Sequence, residues 1–280
     1  MIDLIPSLFR GSPSRASSAV PFLKSGFRVL TLCGLTLGSL GLSGLVLGCS
    51  DGSNSTNEKP SPKPTPAPDK TADAGPKEDI LPWKPGLVWI YKVTDPSEGV
   101  SNKTTTIAGE PEAVGRGPNA DTMAYKVETK KRDGADQTIS WQNRIGDLVV
   151  RYREQSYSAK TNELELEEMW DPYKLHIDES DKHTKHGAKW TQEYDEISVA
   201  ITNGVEEPAV TAKRTDAWQV SSAEEDGVSV TVPAGTFDNV IVLQKVGPGG
   251  TKTYWYARGY GKVKETGSQT EELVSFSGHP

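Results

Sequence analysis

Cysteine is nearly missing from this chain, with two in 280 residues beside four histidines and three methionines. No disulfide framework can carry such a fold, so its stability has to come from core burial. The sequence also lacks G-x-S-x-G, HExxH and a phosphate-cradling glycine loop with its lysine, which argues against the familiar hydrolases. No long stretch has the 3.6-residue spacing of an amphipathic helix bounded by caps, so a helical fold is not expected. A basic surplus is absent too, the formal net charge being −7. Arg10, Arg15, Lys24 and Arg28 stand against Asp3 in the first 48 residues, which leaves −10 on the remainder. That balance disfavours nucleic acid and anionic headgroups as partners and keeps the chain soluble.

What is present begins with Val29 to Gly48, an uncharged run of Leu, Val, Gly and small hydroxyl residues that ends in Val46-Leu47-Gly48-Cys49. Small Gly48 directly before Cys49 leaves room for a diacylglycerol transferase and then a peptidase. The pattern resembles the bacterial lipobox, which implies cleavage between Gly48 and Cys49 and acyl chains, palmitate among them, on Cys49. Each buried methylene adds about 0.8 kcal/mol, so two or three chains hold far more firmly than one. A run of about 20 residues would also span a bilayer as a helix. Its many glycines, the terminal Gly-Cys and the polar segment that follows favour cleavage instead. Residues 1–48 are therefore expected to be a signal peptide, with translation starting near Val20 and Lys24 and Arg28 holding the cytoplasmic side. Cys33 leaves with it. Ser50 after the lipid site points to the outer membrane.

Residues 49–80 follow as the lipidated cysteine and a linker. From Ser50 to Asp79 there is no aromatic and no large aliphatic side chain, so there is nothing to bury and the segment is expected to be disordered. Pro60, Pro62, Pro64, Pro66 and Pro68 alternate with other residues and favour stiff polyproline II at its centre. The segment reads as a spacer that holds the next domain off the membrane.

Residues 81–280 read as strand after strand. Leu87 to Val93, Met123 to Thr129, Thr138 to Trp141 and Leu148 to Tyr152 are β-rich runs. Glu163-Leu-Glu-Leu-Glu167 alternates with period two, which places Leu164 and Leu166 inward and Glu163, Glu165 and Glu167 on a wet face. Further runs lie at Trp190 to Tyr194, Ile197 to Ile201, Ala217 to Ser221 and Val228 to Val232. Asn239 to Val246 and Thr251 to Ala257 flank a Pro248-Gly249-Gly250 turn and predict a hairpin, with closing strands at Lys262 to Thr266 and Leu273 to Phe276. The fold class is mainly β: a large curved antiparallel sheet or half-open barrel with few short helices, the alternative being a β-sandwich. Gly86-Leu-Val-Trp89 and Gly187-Ala-Lys-Trp190 both place Trp three residues after Gly, which fits two similar halves meeting near Lys185.

Val232-Pro-Ala-Gly-Thr-Phe237, followed by a strand and by Tyr254-Trp-Tyr-Ala-Arg-Gly-Tyr-Gly-Lys-Val-Lys264, resembles the C-terminal part of a group of uncharacterised bacterial envelope lipoproteins. That group also opens on Pro-x-x-x-Gly-x-x-Trp-x-Tyr, as Pro82 to Tyr91 does here. Tyr260 stands where the group usually has Val. The resemblance covers the first strand and the C-terminal part and implies a fold similar to the half-barrel of the lipoprotein-localisation (Lol) carriers. It implies no activity.

Candidate sites are few. His176, His183 and His186, with Asp178, Glu179 and Asp181 among them, have the ligand chemistry for a metal such as zinc but no recognised spacing, so a solvated polar loop is the preferred reading and no metal site is expected. All seven Trp and all nine Tyr follow Leu81. The pairs Trp89/Tyr91 and Tyr254/Tyr256 each share a strand face, either as core or as a ligand-binding face. No cofactor is expected. The leading functional expectation is a non-enzymatic envelope lipoprotein, membrane-bound through its lipid, whose domain binds an apolar ligand or an envelope partner. A carrier-like domain needs an apolar concavity. A glycan or peptidoglycan module, the alternative, needs exposed coplanar rings. A metal-dependent enzyme built on His176 to His186 comes third.

Overall fold

The computed structural model describes residues 77–134 and 136–277, so Gly48, Cys49, the leader and the proline-rich segment lie outside the described residues. Fifteen strands follow in order. They are β1 (Val88–Asp95), β2 (Gly99–Ala113), β3 (Met123–Lys131), β4 (Asp136–Ile145), β5 (Leu148–Tyr157), β6 (Leu164–Asp178) and β7 (Lys189–Thr202). Then come β8 (Val205–Glu206), β9 (Val210–Ser222), β10 (Val230–Val232), β11 (Gly235–Phe237), β12 (Ile241–Gly247), β13 (Gly250–Ala257), β14 (Gly261–Thr266) and β15 (Thr270–Phe276). Two single-turn 3₁₀ helices, Arg132–Gly134 and Glu224–Asp226, are the helical content of the described residues.

The mainly β expectation holds, and the curved sheet carries its curvature through to closure. Neighbouring strands run in the order β6, β5, β4, β3, β2, β1, β15, β14, β13, β12, β9, β7, and β6 pairs with β7. Every pairing is antiparallel, so the twelve wall strands form an up-and-down barrel with no free edge in its wall. β8 extends β7 as a short hairpin, and β10–β11 forms a separate hairpin. Register shifts at Ile90/Tyr91, Trp141/Gln142, Arg151/Arg153, Val242/Leu243 and Trp255/Tyr256 are among the irregularities that bend the wall. Lys185 falls between β6 and β7, with six wall strands on each side.

One end of the barrel is sealed. Residues 78–81 lie across it: Gly259 N–H donates to the Asp79 carbonyl and Gly261 N–H to that of Ile80, both at 2.8 Å. From the opposite side the Glu179 carboxylate accepts the N–H groups of Ile80 (2.8 Å) and Leu81 (2.9 Å), and Arg144 donates to the Leu81 carbonyl at 2.6 Å. Ile80 has no exposed area, so the packed domain reaches back into the stretch that composition assigned to the linker. Gly259 and Gly261 have φ of +78° and +81°, and an added Cβ would meet the Glu78 carboxylate and Leu81 Cδ1. The two motif glycines thus make the β13–β14 turn a seat for this strap.

The opening and closing motifs are one structural unit. Trp89 Nε1–H donates to the Tyr260 carbonyl at 2.7 Å, and Tyr91 O–H to that of Lys262 at 2.9 Å. Val-Pro-Ala-Gly-Thr-Phe is the β10–β11 hairpin, which docks through Ala234 N–H onto the Leu273 carbonyl of β15.

The acidic stripe needs correction. Glu163 and Glu165 are exposed, but Glu167 has no exposed area. Arg116, on the loop after β2, reaches Glu167 Oε2 at 2.6 Å, and Arg153 Nε donates to Oε1 at 2.7 Å. Alternation placed Glu167 on the outer side of the wall, and a loop, invisible to period-two reasoning, covers it there. Met169 beside it packs where a Gly117 side chain would stand.

Candidate functional site

Inside the barrel is a cavity of about 510 Å³, lined from Leu81 and Trp83 at the sealed end to Lys131, Gln269 and the Gly247–Gly250 turn at the other rim. A larger but shallower groove of about 710 Å³ lies outside, against the β10–β11 hairpin. Its Arg258 is already paired with Glu224 at 2.7 Å. The lumen carries the more unusual chemistry.

Four strands, β2 on one side of β1 and β15, β14 and β13 on the other, place an ion cluster there. Lys103 on β2 pairs with Glu271 on β15; Lys262 on β14 bridges Glu265 and, at 2.7 Å, Glu271; and Lys252 on β13 reaches Glu265 at 2.7 Å. Tyr91 lies beneath both Lys103 and Lys262, its ring centroid 4.9 and 5.2 Å from their ammonium nitrogens. Burial, then the neighbouring Lys262, pulls Lys103 down to about 7. Against the cost of burial, Lys262 first of all draws the carboxyl of Glu265 down to about 2 and that of Glu271 lower still. Across the lumen Lys245 pairs with Asp216 at 3.0 Å, Arg151 with Glu154, and Lys174 lies 3.9 Å from Glu196. The concavity that a carrier-like reading required to be apolar is therefore apolar at its sealed end and charged above it.

Rings complete the lining. Trp190 on β7 faces Trp218 on β9 in register, with centroids 5.8 Å apart and planes within 2°. Trp218 continues to Tyr254 and Tyr254 to Tyr256, each at 6.1 Å. Both predicted aromatic pairs face the lumen, and their exposure is low: 3% for Trp89, 5% for Tyr91 and 1% for Tyr256. The coplanar rings that a glycan module would offer to solvent are thus enclosed in this barrel. Trp89 and Tyr91 spend their polar atoms on the wall. Burial raises the hydroxyl pKa of Tyr254 and Tyr256.

The three histidines do not converge. His176 lines the lumen, where burial and then Arg151 hold it neutral, down to about 3. His183 pairs with Asp178 and stacks on Trp190 at 4.1 Å, while His186 meets Asp226 at 2.6 Å. No group of three His, Cys, Asp or Glu side chains is placed to hold a metal ion among the described residues.

Four buried polar atoms have no hydrogen-bond partner among the described residues at the lumen or its ring ladder: the indole N–H groups of Trp83, Trp190 and Trp218, and Gln142 Oε1. Gln142 is 2% exposed, and its amide N–H₂ donates to Ser140 Oγ at 2.7 Å. Sequence reasoning singled out none of these, nor Lys103. Period-two spacing of Lys103, Thr105 and Ile107 was the available signal, hidden because hydrophobicity was the pattern sought.

No family model matches the chain, and no curated protein matches it. Among solved structures, one from Bacteroides fragilis, described as an exported protein with a YmcC-like fold, aligns at 11% identity and TM-score 0.39, covering 71% of this chain and 99% of that one. Another, described as a lipoprotein of Parabacteroides distasonis, aligns at 13% identity and TM-score 0.33, covering 72% and 100%.

Proposed function

We propose that this chain is a lipid-anchored protein of the bacterial envelope, outer membrane included, whose barrel takes up a small ligand from its open end. The anchoring half of this reading rests on Val46 to Cys49 and on the proline-rich stretch after it. The binding half rests on one observation: a half-enclosed lumen of about 510 Å³, in the size range of ligand sites, lined by aromatic rings and buried ion pairs. The described chain begins at the sealed end, where Lys77 pairs with Glu224 at 2.8 Å.

The charged upper lumen moves the expected ligand from an apolar one to a polar one. Hydrocarbon among these ion pairs would strip them of water and return nothing. Two measurements test the proposal. Cys49→Ser should abolish palmitate labelling and release the protein from the membrane fraction; unchanged labelling removes the anchor. Mass spectrometry of small molecules released on denaturing the purified protein should recover a polar compound in near-stoichiometric amount. Recovery of fatty acid alone removes the polar lumen reading.

A further inference from the structure

The lumen carries more positive charge than its own acids neutralise. Among the described residues seven Lys and Arg side chains line it against five Asp and Glu, in a chain whose formal net charge is −7. Strand register sharpens that imbalance. Lys245 on β12 stands directly opposite Lys252 on β13, and Lys103 on β2 directly opposite Lys131 on β3, with all four lining the lumen. Like charges set opposite one another destabilise a sheet. The acidic counterpart, Glu265 opposite Glu271, is answered by three lysines, Lys103, Lys252 and Lys262. The lysines have fewer acids to share. Lys252 reaches Glu265 at 2.7 Å but divides it with Lys262, and Lys174 lies 3.9 Å from a Glu196 that Arg214 already holds at 2.9 Å. Burial first, and then Lys174 and Lys252 against the pull of Asp216, lower the pKa of Lys245, so the three lysines crowd one another. They are also within reach of solvent, their side chains being 38% exposed for Lys252, 26% for Lys174 and 15% for Lys245.

We infer that the lumen binds a small polar anion, one that carries a carboxylate or phosphate group, held by Lys174, Lys245 and Lys252. This deepens the proposed function and rests on it. The anion need not break an ion pair to enter, because the acids already present leave cationic charge over, and its own charge relieves the repulsion between the lysines. Ammonium groups make charge-assisted hydrogen bonds to carboxylate and phosphate oxygens, and a concave wall of low dielectric strengthens their field. Tyr254, two residues from Lys252 on β13 and half-buried in the same lumen, offers its ring to the body of the ligand. A continuous wall with a sealed floor admits a small free molecule, and not the middle of a polymer.

The test titrates the full lipidated chain, in phosphatidylcholine nanodiscs at low ionic strength, by calorimetry with inorganic phosphate, citrate, maltose and putrescine. Saturable binding of phosphate, of citrate or of both is expected, and the stronger of the two distinguishes a phosphate ligand from a carboxylate. Maltose and putrescine should give no saturable heat. Added sodium chloride should weaken the binding of the anion. Lys174→Gln and Lys252→Gln each remove one ammonium group while Glu196 keeps Arg214 and Glu265 keeps Lys262, and each should weaken binding about tenfold. Lys213→Gln removes the same charge from the outer surface, where the side chain is 91% exposed, and should leave the affinity unchanged. Near-ultraviolet circular dichroism establishes that each variant is folded. Binding of maltose or putrescine in place of the anions overturns the ligand class while leaving the lumen as a binding site. Equal loss in Lys213→Gln overturns the assignment to Lys174 and Lys252. Silence from every probe overturns the anion site, whereas the uptake reading falls only if denaturation releases no polar compound.

Discussion

At one end of the barrel Ile80 and Leu81 are buried in an apolar cluster under the strap, and further along the lumen Lys103, Lys262, Glu265 and Glu271 stand as ion pairs. Both ends use the same strands. β14 supplies Gly261 to the seat of the strap and Lys262 and Glu265 to the ion pairs, one and four residues further on. The difference lies in what covers them. A strap fixed by backbone hydrogen bonds excludes water from the lower end, so apolar burial stabilises it at about 25 cal/mol per Å². The upper end keeps partial access to solvent, and charge survives there because each ion has a counter-ion.

The largest effect should come from breaking the strap. Glu179 accepts from Ile80 and Leu81 and pairs with Arg144 at 2.9 Å, and its side chain is 6% exposed. Glu179→Ala leaves two N–H groups and the guanidinium of Arg144 without their acceptor, at about 3 kcal/mol. Urea unfolding should show a lower midpoint with an unchanged slope. An unchanged midpoint would mean that the strap does not seal the barrel. Gly261→Ala strikes the same seat from the other side: a Cβ would lie 2.5 Å from Leu81 Cδ1 at a φ of +81°. About 2 kcal/mol is expected from strain and contact together.

At the charged end the lever is pH. Glu265 titrates at about 2 when folded and near 4.5 when free, and Glu271 is lowered in the same direction, because lysines stabilise the ionised forms. The unfolded chain therefore takes up protons first as the solution is acidified. This contribution is complete above about pH 4.5 and is lost as the pH falls toward 2. Glu271→Gln should cost about 2 kcal/mol near pH 7, because Lys103 and Lys262 lose the carboxylate they share, and should flatten the acid limb of a stability profile. An acid limb as steep as in the parent protein would show that the cluster is not what titrates.

These contrasts explain which parts of the molecule were legible in its sequence. The strands at Leu87 to Val93 and Asn239 to Ala257 announced themselves because their buried faces are apolar or aromatic. β2 did not, although it is among the longest, because its lumen side carries Lys103 and Thr105 where a core strand would carry Val or Ile. Closure was hidden for another reason: β6 and β7 are sequence neighbours, and their pairing looks like any hairpin until the strands between β7 and β15 return to β1. Of the lumen, the aromatic pairs Trp89/Tyr91 and Tyr254/Tyr256 were legible from alternation. Gln142 was not, since the bulge between Trp141 and Gln142 shifts which residue faces inward. Only register, which needs the partner strand, reveals that.

His176 separates the two kinds of titration. It stays neutral in the lumen down to about pH 3, whereas in the unfolded chain it charges near 6.5. Between those values the unfolded chain binds more protons, so stability falls as the pH drops from 6.5 toward 3. The carboxylates do not contribute until about pH 4.5, which leaves the interval above that value to His176. His176→Asn should remove the slope there, roughly 1 to 2 kcal/mol after allowing for solvent in the lumen. A slope that persists in this variant would show that His176 is not the group that titrates there.

The smallest effect is expected from a pair that matches a lumen pair in geometry alone. Lys213 lies 3.1 Å from Asp195 on the outer surface, as Lys245 lies 3.0 Å from Asp216 inside. The Lys213 side chain is 91% exposed and that of Lys245 15%, so water already solvates the first pair and is kept from the second. Exposed pairs are screened and pay side-chain entropy to form. Lys213→Ala should leave the urea midpoint unchanged within error, and adding salt should not alter that result. A measurable loss would show that the outer wall, too, draws stability from its charges, and the contrast between a solvated surface and an ion-paired lumen would have to be given up.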